Sequence, residues 1–109
     1  ALLVRLPDGQ IRRFTSSFFI GREPGCEVEL ANSQVSRRHA QVSLVNGQWI
    51  VRDLQSSNGL FVDGARVETA AIGDGVAITL GSDGPTLDVD QNARGLVVCE
   101  GGQRMEVEV

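Results

Sequence analysis

The feature that most constrains this chain is its punctuation: Asp8-Gly9, Asn46-Gly47, Asp63-Gly64, Asp74-Gly75, Asp83-Gly84 and Gly101-Gly102 divide it into short pieces. Asn-Gly and Asp-Gly pairs supply the positive φ angles that two-residue hairpin turns demand. The pieces between them alternate apolar and polar residues with a period of two and are rich in β-branched side chains, as in Gln48-Trp49-Ile50-Val51-Arg52-Asp53. Strands are expected at Leu2–Leu6, Gln10–Thr15, Phe18–Ile20, Val28–Leu30, His39–Val45, Gln48–Asp53, Leu60–Val62, Ala65–Val67, Val76–Leu80, Thr86–Val89, Leu96–Cys99 and Arg104–Val109. No stretch carries an apolar stripe over three helical turns, so helix is not a main component. The fold class is all-β, an antiparallel sandwich or barrel.

With 109 residues the chain makes one globular domain. Residues 1–90 form the domain, and 91–109 read as an extension, a β-hairpin that packs on the sandwich or exchanges with a partner. Leu96-Val97-Val98 followed by Gly101-Gly102-Gln103 echoes Leu2-Leu3-Val4 followed by Asp8-Gly9-Gln10. No run approaches the ~20 apolar residues that span a bilayer. Arg5, Pro7 and Asp8 interrupt the apolar start too early for a signal peptide. A cytoplasmic setting, or the cytosolic face of a larger membrane protein, is the expectation. The start at Ala1 suggests a piece of something longer.

The formal charge of -4 argues against nucleic acid or a membrane surface as the main partner. All ten basic residues are arginines, and Arg12, Arg13, Arg37 and Arg38 form two adjacent pairs. A guanidinium is a planar fork suited to phosphate or carboxylate. Cys26 and Cys99 lie far apart with no CxxC, and His39 is the one histidine. A structural zinc site needs about four such ligands, so no metal and no cofactor is expected. Free thiols are favoured over a disulfide.

Three connections are longer or more polar than a hairpin needs: Gly21–Glu27, Ala31–Arg38 and Leu54–Gly59. Alternation brings every second connection of a sandwich to the same end, and the strand count permits all three to share one rim. They carry Gly21-Arg22, Ser36-Arg37-Arg38-His39 and Ser56-Ser57-Asn58-Gly59. Arginines, hydroxyls and an amide, with no carboxylate among them, suit a compact oxyanion. A phosphate monoester offers nearly two charges and three acceptor oxygens, and each charge-assisted bond to it contributes ~1.5–3 kcal/mol. The rival is a hydrolase, for which Ser36, His39 and Asp53 are the candidate triad. The chain has no Gly-x-Ser-x-Gly elbow and no phosphate-cradling Gly-Lys-Ser/Thr loop.

These motifs in order resemble the forkhead-associated (FHA) family. The matching residues are Gly21-Arg22, Ser36-Arg37-Arg38-His39-Ala40, Trp49 with Asp53-Leu54, Ser57-Asn58-Gly59-Leu60-Phe61-Val62 with Gly64, Asp74-Gly75 and Leu80-Gly81. The resemblance implies an FHA/SMAD-like β-sandwich of about eleven strands that binds phosphothreonine peptides through loops at one end. It implies a non-catalytic module with no catalytic residue, whose partner is a protein phosphorylated by a serine/threonine kinase. Arg22, Ser36, Arg37, Ser57 and Asn58 are the implied peptide contacts, with Ser36 offering both its hydroxyl and its backbone amide. Gly21, His39 and Gly59 support them, and Gln34, Gln55 and Gly81–Gly84 are candidate selectors of the neighbouring peptide residues. The alternative is a phosphate-independent interaction module, including a homodimer formed through the C-terminal strands.

Overall fold

The computed structural model describes residues 1–73, 75–91, 99–100 and 103–104. Eleven strands build two facing sheets. They are β1 (Leu2–Arg5), β2 (Ile11–Phe14), β3 (Phe18–Gly21), β4 (Val28–Glu29), β5 (Ala40–Val45), β6 (Gln48–Asp53), β7 (Leu60–Val62), β8 (Ala65–Val67), β9 (Thr69–Ile72), β10 (Val76–Leu80) and β11 (Thr86–Asp90). One sheet runs β2-β1-β11-β10-β7-β8 and the other β4-β3-β5-β6-β9. A separate two-stranded ladder pairs β12 (Cys99–Glu100) with β13 (Gln103–Arg104). The expected strand residues Leu96–Val98 and Met105–Val109, and the expected turn residues Asp74, Gly101 and Gly102, lie outside the described residues.

The hairpin chemistry is local. Asn46 and Gly47 take φ of 50° and 78°, and Asp63 and Gly64 take 50° and 87°. Positive φ at both central residues is the turn that matches strand twist. The β5–β6 ladder accordingly runs unbroken from Ala40↔Asp53 to Val45↔Gln48.

Alternation then sorts the core. Ala40, Val42, Trp49 and Val51 point inward from one sheet, and Leu2, Val4, Ile78, Leu80 and Leu87 from the other. Phe18 stacks on Phe14 with ring centroids 3.8 Å apart and tilts against Trp49 at 6.5 Å. Each such buried side chain contributes ~1.5–3 kcal/mol. This packing makes the sandwich a rigid base for its loops.

One strand missing from the sequence reading is β9. Only Glu68 separates it from β8, yet β8 belongs to one sheet and β9 to the other. No turn pair marks the crossing, and Ala70 and Ala71 have weak strand propensity.

Strand direction decides where the three polar loops go. Only β4 lies between the first two, so strict alternation would send them to opposite ends, and the expectation that the strand count lets all three share a rim fails on that reasoning. Instead β4 pairs parallel to β3, Ile20 against Val28 and Gly21 against Glu29. Both strands therefore point to the same end, and residues 22–27 and 31–38 share it. The β5–β6 hairpin runs away and back, bringing 54–59 to that rim as well. The turns 6–10 and 81–85 join them there, because β1 and β10 both run antiparallel to β11.

Candidate functional site

The rim loops hold one another through their backbones. Arg22 N donates to Ser36 O at 3.0 Å and Glu23 N to Arg37 O at 3.1 Å, pinning the first loop to the second. The approach is so close that a Cβ on Gly21 would sit 2.1 Å from Arg37 O. Only glycine fits there. The Cys26 thiol also donates to Arg37 O, at 3.4 Å. Burial, and then the Glu23 carboxylate, hold that thiol above its ordinary pKa.

The third loop locks onto the second. Ser57 N donates to Ser36 Oγ at 3.1 Å, and Asn58 Nδ2 donates to Gln34 O at 3.0 Å. Within the third loop, Asp53 Oδ1 accepts from Ser56 Oγ at 2.5 Å and from Ser56 N at 3.3 Å. Ser56 Oγ in turn accepts from Gly59 N at 3.1 Å. The Asp53-x-x-Ser56 spacing is a signal for such a side-chain-to-backbone turn. Gly59 then bends back into β7 with φ of 90°.

His39 joins the second and third loops to β3 from inside. It is fully buried, and its Nδ1 accepts from Ser36 N at 3.1 Å. A backbone N–H can only donate, which assigns the ring proton to Nε2. Nε2 donates to Gly59 O at 2.7 Å, and the same carbonyl accepts from Gly81 N at 2.8 Å. His39 N bonds Ile20 O, and His39 O accepts from Leu54 N, each at 2.9 Å. Burial pushes the imidazole pKa below its ordinary value of 6.5, against smaller opposing effects from the Gly59 carbonyl and Asp53.

Arg22, Ser36, Ser57 and Asn58 thus stand on one rim, linked directly or through one neighbour. Arg22 Nε is fixed by Val35 O at 2.9 Å, and among the described residues neither terminal nitrogen of its exposed guanidinium has a partner. The Ser36 amide is occupied by His39, so Ser36 can offer its hydroxyl but not the amide expected from the resemblance. Asn58 keeps its carbonyl oxygen and one N–H. The exposed Arg37 guanidinium has no partner among the described residues, while its carbonyl knits the loops. The Arg38 side chain ties its loop to the first one and to β3. It pairs with Glu23 at 3.2 Å and lies over the Phe19 ring at 4.8 Å.

The FHA domain profile matches residues 18–81, more than half of the chain. The chain belongs to the FHA family. It is 36% identical over 77 residues to the ABC transporter ATP-binding/permease protein Rv1747 of Mycobacterium tuberculosis, a match covering 71% of this chain and 8% of that protein. FhaB of the same organism is 41% identical over 51 residues, 47% of this chain and 33% of FhaB. The chain therefore spans a minor part of the curated relatives it matches. Among solved structures, the FHA-1 domain of Rv1747 aligns with a TM-score of 0.75 and 32% identity, covering 82% of this chain and 93% of that one. The N-terminal FHA domain of Saccharomyces cerevisiae Rad53p, solved with a phosphothreonine peptide, aligns with a TM-score of 0.73 and 26% identity, covering 86% and 95%.

Arg66, Arg12 and Glu27 were not singled out in the sequence, and Gln34 with Gly81–Gly84, offered there as candidate selectors of peptide residues, proves to be packed together in this FHA rim. Gln34 packs against Gly81 and Gly84, where added Cβ atoms would meet its side chain at 3.0–3.3 Å. The Arg66 guanidinium lies 3.0–3.3 Å from the position a Gly59 Cβ would take. Arg12 on β2 reaches across the sandwich edge to Glu27 O. The Glu27 carboxylate accepts from Phe19 N at 2.9 Å, and that bond lowers its pKa. Long arginines that cross between sheets leave no periodic trace.

Proposed function

We propose that this FHA domain is a non-catalytic reader of phosphothreonine in partner proteins, with Arg22, Ser36, Arg37, Ser57 and Asn58 as its contacts. The observation that carries the reading is the convergence of three loops, distant in sequence, through bonds that leave Arg22, the Ser36 hydroxyl and Asn58 with unused donors on one rim. Rad53p, a structural relative, was solved holding a phosphothreonine peptide. Gly21, His39 and Gly59 act as supports. The partner class is a protein phosphorylated on threonine by a serine/threonine kinase.

His39 also argues against the hydrolase. A general base needs a free ring nitrogen within reach of the nucleophile. Here Nδ1 accepts the Ser36 amide and Nε2 donates to Gly59 O. Neither nitrogen remains for the Ser36 hydroxyl.

Titration with matched phosphothreonine, phosphoserine and unphosphorylated peptides tests the reading. Binding should rank in that order, since the family pocket accommodates the threonine methyl group. Arg22→Ala and Ser36→Ala should each weaken it about tenfold or more, a charge-assisted bond being worth at least ~1.5 kcal/mol. Equal binding of all three peptides, or undiminished binding by both variants, rules the reading out.

A further inference from the structure

A concavity opens on the same rim, lined by none of the proposed peptide contacts. Its volume is about 240 Å³, and it is walled by the 6–8 turn, by 29–32 and by Pro85. Drug-sized ligands occupy roughly 300–1,000 Å³, so this cleft suits one side chain. Leu6, Leu30 and Pro85 give it an apolar floor, while Asp8 and Glu29 stand exposed on its lip. Neither carboxylate has an ion-pair partner among the described residues.

The walls are preformed. In the 6–8 turn, Gly9 N bonds Leu6 O at 2.9 Å, and Gln10 N bonds Asp8 Oδ1 at 3.0 Å. Leu30 N bonds Gly21 O at 2.8 Å, Gln34 N bonds Asn32 Oδ1 at 2.8 Å, and Leu80 N bonds Pro85 O at 3.1 Å. An apolar floor beneath two carboxylates that lack a cation is complementary to one kind of side chain: a long aliphatic stem ending in a positive charge.

We infer that this cleft takes a lysine or arginine side chain of the bound phosphopeptide, with the stem on Leu6, Leu30 and Pro85 and the charge between Asp8 and Glu29. The inference rests on the phosphopeptide reading above. It sets a charge pattern for the ligand: an anion gripped at Arg22 and Ser36, and a cation several residues away on one flank. Ser36 lies four residues beyond Asn32 of the cleft, a span of at most ~14 Å. An extended peptide advancing ~3.3 Å per residue covers that in four to five positions.

The test starts from a reference peptide with one phosphothreonine among alanine and glycine. Lysine, norleucine and glutamate are then scanned through positions two to six on either flank. On one flank a single position should tighten binding about three- to tenfold with lysine, the scale of exposed ion pairs added to stem burial. Norleucine should give part of that gain, and glutamate should weaken binding. In the double variant Asp8→Asn with Glu29→Gln, the lysine gain should vanish while the reference affinity stays unchanged; the side-chain carbonyl that Asp8→Asn retains can still accept the Gln10 amide. A reference peptide that fails to bind overturns the phosphopeptide reading itself. A reference that binds, with no lysine gain at any position or a gain that survives in the double variant, overturns the cleft assignment alone.

Discussion

At the residue scale, His39 and Gly21 bear most on the rim's geometry, and neither needs to touch a ligand to do so. Replacing His39 with alanine removes the acceptor for Ser36 N and one of the two donors to Gly59 O, and leaves a hole beneath both loops. An orphaned buried group costs about 1–3 kcal/mol, and the hole adds to it. His39→Ala should lose about 2–4 kcal/mol in urea denaturation, and phosphopeptide affinity should fall with it even though the ring faces inward. Gly21→Ala forces a methyl group against Arg37 O and should destabilise by roughly 1–3 kcal/mol, with loss of binding seen in the same titration. The motif residues were legible in the sequence because their chemistry is distinctive. Their bonding was not: nothing in Ser36-Arg37-Arg38-His39 says that the Ser36 amide serves the imidazole, or that Arg38 reaches Glu23 and Phe19.

Elements divide into those dictated locally and those dictated by distant partners. The β5–β6 and β7–β8 hairpins were legible because Asn46-Gly47 and Asp63-Gly64 specify their own turns. Left-handed backbone costs a residue with a Cβ about 1–2 kcal/mol unless its side chain bonds locally. Asn46→Ala should therefore lower stability by about 1 kcal/mol in urea while leaving phosphopeptide affinity unaltered, because that turn lies at the end opposite the rim. The parallel β3–β4 pairing was illegible, since Val28-Glu29 reads the same whichever way its neighbour runs. Yet that pairing brings two polar loops to one end. β9 is hidden for the opposite reason: its pairing with β6, from Trp49↔Ile72 to Arg52↔Thr69, overrides weak local propensity. The Leu6–Asp8, Glu29–Asn32 and Pro85 walls come from three separated segments, so only the fold reveals their cleft.

For the whole molecule, His39 couples acidity to stability. Its folded pKa lies below 6.5, so between that folded value and 6.5 the unfolded chain binds more protons than the native one. Stability is full above pH 6.5 and falls as the pH drops through the folded pKa. The Glu27 carboxyl, lowered by the Phe19 N–H, adds a further loss only below its ordinary value of 4.5. Urea midpoints at about pH 7.5 and about pH 5.5 should differ in the wild type, and the difference should shrink in His39→Gln. Phosphopeptide affinity should decline over the same range, where the ligand also loses its second charge near about pH 6.

The mutual tethering of 22–23, 34–36 and 57–59 also governs time. A receptor whose parts already sit in position has little to arrange when its ligand arrives, so encounter is set by diffusion and charge. If Arg22 and Arg37 are the contacts proposed above, they should speed that encounter alike for every phosphorylated visitor. Discrimination among visitors is then a matter of dwell: the wrong segment leaves in a moment and the right one lingers.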